Sequence, residues 1–284
     1  MPLPTLTDWQ QTADGLHKMA RILGGLRLLR LPHDPNYLEF STRVLPYGLS
    51  TAVLPGGAEI IADFEHVALE IRQPDGKSAI IPADGHSQKS LFEAALAELQ
   101  STELAGVLAP AADTSLVAGF MNALTPEQRQ ALSGHQPVDD PNPLHIDAGQ
   151  ASDYAAALWG VYTGVAIFRS RLGGLMTPMG VWVGHFDLSF LYFPGAKADE
   201  YLPHLNFGFS PPSTGIADSY LYAYAYPMPT DAAKIPLPAP AYWHTEGWIG
   251  VVVRYAEIAR AEQPALYVSA LCEAIFKALR PLLG

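Results

Sequence analysis

The fold is most clearly indicated by the segment Thr177-Pro178-Met179-Gly180-Val181-Trp182-Val183-Gly184-His185-Phe186-Asp187-Leu188-Ser189-Phe190-Leu191-Tyr192-Phe193-Pro194-Gly195. It begins near a proline, ends at a Pro-Gly turn signal and is rich in aromatic and β-branched residues, which predicts a long strand or a tight hairpin. Alternation along a strand divides its side chains into two rows. The apolar row contains Trp182, Phe186, Leu188, Phe190 and Tyr192, and the other row contains Val181, Val183, His185, Asp187 and Ser189. We expect the apolar row to pack under helices and the polar groups to face a cleft.

The first half of the chain predicts a helix, an antiparallel meander and further helices. Thr7-Asp8-Trp9-Gln10 has capping-box spacing before a helix over 8 to 23, which Gly24-Gly25 is expected to end. The spacing from Ser90 to Glu93 predicts a second capped helix. The predicted strands are 38–44, 49–54, 58–71 and 78–81, and shorter helices are expected at 114–123 and after Thr125-Pro126 to about 132.

The second half repeats this order. Ser152 is predicted to cap a long apolar helix, 206–214 is predicted as a loop, and 219–226 is predicted as a strand in which four tyrosines share one face. A further strand is expected at 246–255, and Pro264 opens the last helix.

These patterns predict an α+β protein of two similar halves, each a mainly antiparallel sheet backed by helices. Residues 1–134 and 150–284 form the halves, and 135–149, rich in proline and aspartate, is the predicted linker. The shared order, with Leu-Gly-Gly-Leu at 23–26 and again at 172–175, favours an internal duplication.

Composition limits the function. The net charge is −11 and no basic run occurs, which disfavours nucleic acid and anionic membrane surfaces as partners. Charged residues make up 16% of the chain, against roughly 25% in an average domain, which favours a buried interface such as a homodimer. Cys272 is the single cysteine, so no intrachain disulfide forms. With no apolar run of membrane-span length and no signal-peptide pattern near Met1, we expect a cytoplasmic protein.

The candidate catalytic residues are His185, Asp187, His66 and Asp63. Carboxylates and imidazoles can act as general acids and bases, and the cleft is expected beside His185 and Asp187, with Asp63 and His66 contributed by the other half. A structural role, in which such a group ties strands together through backbone donors, is the alternative.

The candidate ligand-binding residues are aromatic. Tyr222 and Tyr224 belong to the tyrosine strand, and Trp182 and Trp248 can extend the same wall for a sugar, lipid or aromatic ligand. The tyrosines are expected at the rim of the cleft, with their rings continuing the apolar row if the two strands pair.

Two enzymatic alternatives use the same region. His185, Asp187 and His244, with Arg254, imitate the metal triad of iron oxygenases. His185, Asp187 and Ser189 supply the residue types of a hydrolytic triad, although strand neighbours stand too far apart for one and no nucleophile elbow occurs. Glycine-rich nucleotide-binding patterns are missing from the sequence, so no cofactor is predicted.

The order of several segments resembles a bacterial family known as domain of unknown function 5996. The matching segments are Phe168-Arg169 through Pro178, Gly184, Phe186-Asp187-Leu188, Phe193-x-Gly195, Asp63-Phe64-Glu65-His66, Trp159 and Tyr222 through Pro229. The resemblance spans most of the chain and implies no activity.

The departures from that family concern polar residues. The resemblance implies lysine, histidine and arginine at the positions of Leu175, Gly180 and Tyr192, and further charged residues near Ala196, Met228 and Ala259. The sequence therefore favours a small-molecule-binding protein in which any enzymatic site is degenerate, with a metal-dependent oxygenase as the alternative.

Overall fold

The computed structural model describes residues 2–32, 34, 36–100, 126, 138–213 and 215–283. The short helices predicted between 114 and 132 fall outside these ranges, Pro126 excepted. The described chain combines helices with antiparallel sheets, which confirms the α+β class. No helix within these ranges is long and apolar enough to cross a membrane.

Packing divides the chain into two compact units. We call residues 9–152 with 182–185 the N-terminal unit, and residues 1–8, 153–181 and 186–284 the C-terminal unit. The predicted linker, as far as it is described, packs within the N-terminal unit: Leu144 is buried and its amide donates to the carbonyl of His86 at 2.8 Å. The division of the chain into halves at 135–149 stays a prediction.

The N-terminal unit is a helix, a five-stranded meander and a second helix. Its elements are α1 (Gln10–Arg30), a 3-10 turn (Leu38–Phe40), β1 (Ser41–Leu45), β2 (Gly48–Ser50), β3 (Glu59–Asp63), β4 (Ala68–Arg72), β5 (Ser78–Pro82) and α2 (Gln88–Gln100). Each strand pairs with the next, in the order β1-β2-β3-β4-β5. The predicted strand 58–71 is thus two strands, separated by a turn that ends at Val67 with a left-handed φ of 49°.

The predicted ends of both N-terminal helices were wrong. Gly24 and Gly25 lie inside α1 and do not end it. A Cβ at Gly24 would overlap the Val183 side chain, so the glycine there allows close packing. Thr7 does not cap α1, which begins after Trp9 without a side-chain cap. In α2 the cap is Ser87, whose hydroxyl accepts from the Ser90 amide at 3.1 Å while the Ser90 hydroxyl accepts from the Ser87 amide at 3.0 Å.

The C-terminal unit contains most of a long helix, an antiparallel sheet and two further helices at its end. The elements in chain order are α3 (Ala148–Arg169), β6 (Leu175–Met176), β7 (Gly180–Trp182), β8 (Asp187–Phe193), β9 (His204–Ser210), β10 (Tyr220–Tyr226), β11 (Tyr242–His244), β12 (Gly250–Arg254), α4 (Tyr255–Ala259) and α5 (Pro264–Leu279). The sheet order is β11-β12-β10-β9-β8, and β6 pairs with the C-terminal end of β8, at Tyr192 and Phe193.

Three predictions for the second half need correction. Helix α3 begins at Ala148, and its cap is Asp147, whose Oδ1 accepts from the Gln150 amide at 2.8 Å; Ser152 is already helical. The predicted loop 206–214 is mostly the strand β9. The two Leu-Gly-Gly-Leu sequences are not equivalent, because 23–26 lies within α1 whereas 172–175 follows the end of α3.

The central segment is a hairpin and not one long strand. The chain turns at 183–186, and Phe186 takes a left-handed φ of 59° before β8 begins at Asp187. Strand alternation therefore restarts at Asp187. The two expected rows are correct along β8. Because the turn at 183–186 interrupts the alternation, it does not place Val181, Val183 and His185 in the row of Asp187.

Candidate functional site

One face of the sheet of the C-terminal unit carries mainly aliphatic and aromatic side chains. Pairing of Phe190 with Phe207 across β8 and β9 sets these rings side by side, with 6.0 Å between their centroids. Helices cover them: the ring of Phe168 on α3 lies 5.0 Å from that of Phe207, and Phe276 on α5 lies 5.1 Å from Tyr192. The prediction that the apolar row of β8 packs under helices is confirmed.

The opposite side carries the polar groups, and we call it the polar face. It includes Asp187 and Ser189 on β8, His204, Asn206 and Gly208 on β9, and Tyr220, Tyr222, Tyr224 and Tyr226 on β10, and the apolar side chains of Leu191 and Phe193 lie on the same side. The tyrosines thus share the side of Asp187, and β9 lies between β8 and β10. The expectation that the tyrosine rings continue the apolar row required direct pairing of the two strands. They do not pair, and the register through β9 places the tyrosines on the face opposite Leu188 and Phe190.

Gly208 brings Tyr222 and Asp187 together. Register places Ser189, Gly208 and Tyr222 in one line across three strands. The Tyr222 ring lies over Gly208, where any Cβ would overlap its Cζ and hydroxyl atoms, and the hydroxyl donates to Oδ2 of Asp187 on β8. A glycine in the middle of a strand weakens the strand, so its presence here indicates a requirement for this close approach.

A second hydrogen-bonded chain runs beside the first. The Ser189 hydroxyl donates to Oδ1 of Asn206 at 2.7 Å, and Nδ2 of Asn206 donates to the Tyr224 hydroxyl at 2.9 Å. Ser189 and Asn206 are buried, whereas Tyr224 and Asp187 are half-buried. The two chains lead from the interior of the polar face to two side chains that solvent reaches.

Burial and charge keep these phenols protonated. Burial, followed by the Asp187 charge, raises the pKa of Tyr222 well above its usual value. Burial is also the main cause of the raised pKa of Tyr224, which the hydrogen bond from Asn206 partly offsets. Burial and the Asp187 charge raise the pKa of Tyr154 on α3 as well. These hydroxyls are therefore neutral hydrogen-bond donors near a carboxylate at physiological pH.

Trp248 covers part of the tyrosine row. Its ring folds over Gly250, where a Cβ would overlap it, and its centroid lies 6.2 Å from that of Tyr222 and 6.5 Å from that of Tyr224. Trp248 is half-buried, so one part of the indole packs on the tyrosines and another part is accessible. Three predicted ligand-binding residues, Tyr222, Tyr224 and Trp248, thus lie together with Asp187.

The fourth predicted aromatic and His185 belong to the N-terminal unit. Trp182 is half-buried on β7, and His185 is exposed in the turn that follows. His185 lies near His17, whose Nε2 is 2.8 Å from the carbonyl of Val183. Burial, then Arg21 and to a smaller extent His185, lower the pKa of His17 to about 3, so that imidazole is neutral.

Asp63 and His66 close the turn between β3 and β4. Oδ1 of Asp63 accepts from the His66 amide at 2.9 Å, and Oδ2 lies 2.8 Å from Nδ1 of the same residue. The hydrogen bond and charge of Asp63 raise the pKa of the exposed His66 ring. Both carboxylate oxygens are thus engaged locally, which accounts for the pair without a ligand; their place in a shared cleft stays a prediction.

The enzymatic alternatives find no assembled group. Among the described residues, no set of three or more His, Cys, Asp and Glu side chains is placed to hold a metal ion. For the metal triad, Nε2 of His244 lies 2.8 Å from the carbonyl of Glu246. For the hydrolytic triad, the Ser189 hydroxyl donates to Asn206 and not to a histidine base.

Asn206 and Gly208 were missed from sequence, because their segment was assigned to a loop. A signal was present: Leu205, Phe207 and Phe209 alternate with smaller or polar residues, which is the period of a half-buried strand. The prolines and serines at 210–213 are typical of a loop and mask this strand period.

Fold and face together define an antiparallel α+β protein in which a hydrogen-bonded aromatic and carboxylate row lies on the sheet of one unit. Residues 1–114 and 128–282 match the model of the family described as "Family of unknown function (DUF5996)", and the chain belongs to that family. Searches of curated proteins and of solved structures gave no match.

Proposed function

We propose that the protein binds a small molecule at the polar face of the C-terminal unit, with Asp187 and Tyr224 as its polar contacts and Trp248 as an aromatic contact. One observation carries the proposal. The half-buried carboxylate of Asp187 lies at the end of a row of buried polar side chains on one sheet face, while the other face is formed mainly by aliphatic and aromatic side chains.

Stability alone does not account for such a row. A buried polar group costs free energy unless it is hydrogen-bonded, and even when bonded it contributes only about 0.5–1.5 kcal/mol net, whereas a buried apolar side chain contributes about 1.5–3 kcal/mol. The polar face uses Ser189, Asn206 and Tyr222 where apolar side chains would stabilise the sheet more. Its arrangement fixes the orientation of Asp187 and Tyr224, and preorganised polar groups of this kind give a binding site its specificity.

The test is a ligand screen that reports on the site itself. The indole N–H signal of Trp248 is assigned in a ¹⁵N-labelled protein by loss of that signal in Trp248→Phe. A panel of sugars, polyols, amines, amino alcohols and aromatic acids is then titrated. We expect a saturable shift of the Trp248 signal with at least one compound class, and a Kd raised about tenfold or more in Asp187→Asn and Tyr224→Phe, since each variant removes one polar contact.

Matched controls separate the site from the surface. Asp231→Asn makes the same charge change at an exposed residue whose side chain caps no helix, and Tyr226→Phe removes a phenol from the same strand at an exposed position. Both should bind as the wild type does. Equal binding by all four variants, or no shift with any compound, would contradict the proposal.

We also infer that the two units arose by duplication and that the protein is a cytoplasmic homodimer. What supports the duplication is the shared order of helix, antiparallel sheet and helix. A four-residue turn also precedes one strand of each sheet, at 64–67 before β4 and at 183–186 before β8, and each turn ends at a left-handed residue, Val67 or Phe186. What supports the dimer is the low charge content of the chain. Light scattering coupled to size-exclusion chromatography tests the dimer: a mass near 30.6 kDa, that of one chain, would contradict it.

A further inference from the structure

The electrostatic surroundings of the polar face include two carboxylates. Asp187 contacts Tyr222 directly, and its charge also acts on Tyr154 and Tyr224. Glu200, a half-buried residue in the mostly exposed segment between β8 and β9, acts on Tyr224 as well. A negative potential at a partly desolvated site favours a cation and disfavours an anion.

Aromatic rings lie beside these charges. The rings of Tyr222 and Tyr224 stack with centroids 6.2 Å apart and planes 9° apart, and the Trp248 indole meets Tyr224 at 72°. Tyr224 and Trp248 are the half-buried members, and an aromatic face attracts a cation within about 6 Å of its centroid.

The neutral groups of the face are largely occupied by each other. Ser189 donates to Asn206, and Asn206 donates to Tyr224. The Tyr224 hydroxyl accepts from Asn206 and retains its own proton, which it can donate to an oxygen of a ligand. A polyol, which needs several neutral partners, is therefore less well matched than a ligand with one positive charge and one nearby oxygen.

We propose that the ligand class is a small organic cation, an amino alcohol or related ammonium compound, whose positive charge lies between the Asp187 carboxylate and the rings of Tyr224 and Trp248 and whose oxygen accepts from the Tyr224 hydroxyl. This inference rests on the proposed function and narrows its ligand.

The test compares choline with its neutral isostere, in which carbon replaces the quaternary nitrogen, followed through the Trp248 indole signal. The two probes have the same shape and hydroxyl group, so the difference in Kd measures the contribution of the charge. We expect choline to bind about tenfold more tightly to the wild type. In Asp187→Asn the ratio should fall to about twofold, the part left to the rings, while Asp231→Asn keeps the wild-type ratio.

The outcomes distinguish the two proposals. If the isostere binds the wild type as tightly as choline, or if only a neutral sugar or an aromatic acid shifts the Trp248 signal, the cation inference is overturned and the proposed binding function stands. If Asp231→Asn lowers the ratio as much as Asp187→Asn, the preference reflects the overall charge of the protein and the inference is also overturned. If no compound shifts the signal, the proposed function itself fails.

Discussion

The two faces of the C-terminal sheet are formed by the same strands and are stabilised in different ways. On one face Phe190 and Phe207 pack against helices α3 and α5, and area removed from water supplies the stability. On the other face Asp187, Asn206 and Tyr222 are held by directional hydrogen bonds that depend on Gly208. The comparison indicates that the stability of the fold depends mainly on the first face, and we expect changes to the second face to cost less stability.

The largest effect should follow truncation of the apolar face. Phe207→Ala removes a fully buried ring that contacts Phe168 and Phe190, and we expect it to lower the free energy of unfolding by about 3–5 kcal/mol. Urea denaturation measures this change. Tyr226→Ala, at an exposed position on the polar face, should cost about 1 kcal/mol or less. A similar cost for the two variants would remove the distinction between the faces.

Gly208 should be the most sensitive position on the polar face. In Gly208→Ala the new Cβ overlaps both the Tyr222 ring and the Leu188 carbonyl oxygen, so the strands must shift, at a cost of about 1–3 kcal/mol. Gly173→Ala is the matched control, because nothing lies within 4 Å of a Cβ there. Chemical denaturation of both variants tests the prediction, which fails if Gly208→Ala is as stable as Gly173→Ala.

Loss of the Tyr222 hydroxyl should have a smaller effect that depends on pH. Tyr222→Phe removes the donor to Asp187, which we expect to cost about 1–2 kcal/mol at neutral pH. The pKa of Tyr222 is raised in the folded protein, so both states are protonated below about pH 10, and above it only the unfolded state ionises. Wild-type stability should therefore fall as pH rises through about 10.

The variant sharpens this expectation. Each phenol held protonated steepens the decline by up to about 1.4 kcal/mol per pH unit, so Tyr222→Phe should decline less steeply than the wild type. Unfolding followed at several values between about pH 8 and 11 provides the measurement, while Tyr226→Phe should retain the wild-type slope. Parallel slopes for the wild type and Tyr222→Phe would contradict a buried, protonated Tyr222.

The sequence predicted local periodicity well and relative position poorly. Alternation along β8 and β10 correctly separated Leu188 and Phe190 from Asp187 and Ser189, because side chains on a strand alternate whatever the strand pairs with. The placement of the tyrosines required the pairing order of three strands, and β9 had been assigned to a loop. Asp187, Tyr222, Tyr224 and Trp248 were named from sequence, but Asn206 and Gly208 were not.

Glycine misled the prediction in both units for one reason. Local sequence predicts that Gly24 ends a helix and that Gly208 lies in a loop, since glycine commonly marks helix ends and turns. Each instead provides room for a neighbouring side chain, Val183 in one unit and Tyr222 in the other. That use of glycine depends on residues distant in sequence, which no local pattern contains.

The most direct test of the account is the effect of Asp187→Asn on stability and on binding in the same samples. Asparagine keeps the shape and an acceptor for Tyr222 while removing the charge, so we predict a free energy of unfolding within about 1 kcal/mol of the wild type. In the same samples the Kd of the screening compound, followed through the Trp248 signal, should rise about tenfold or more. A variant destabilised by several kcal/mol that still binds as the wild type does would contradict the account, because Asp187 would then serve the fold and not a ligand.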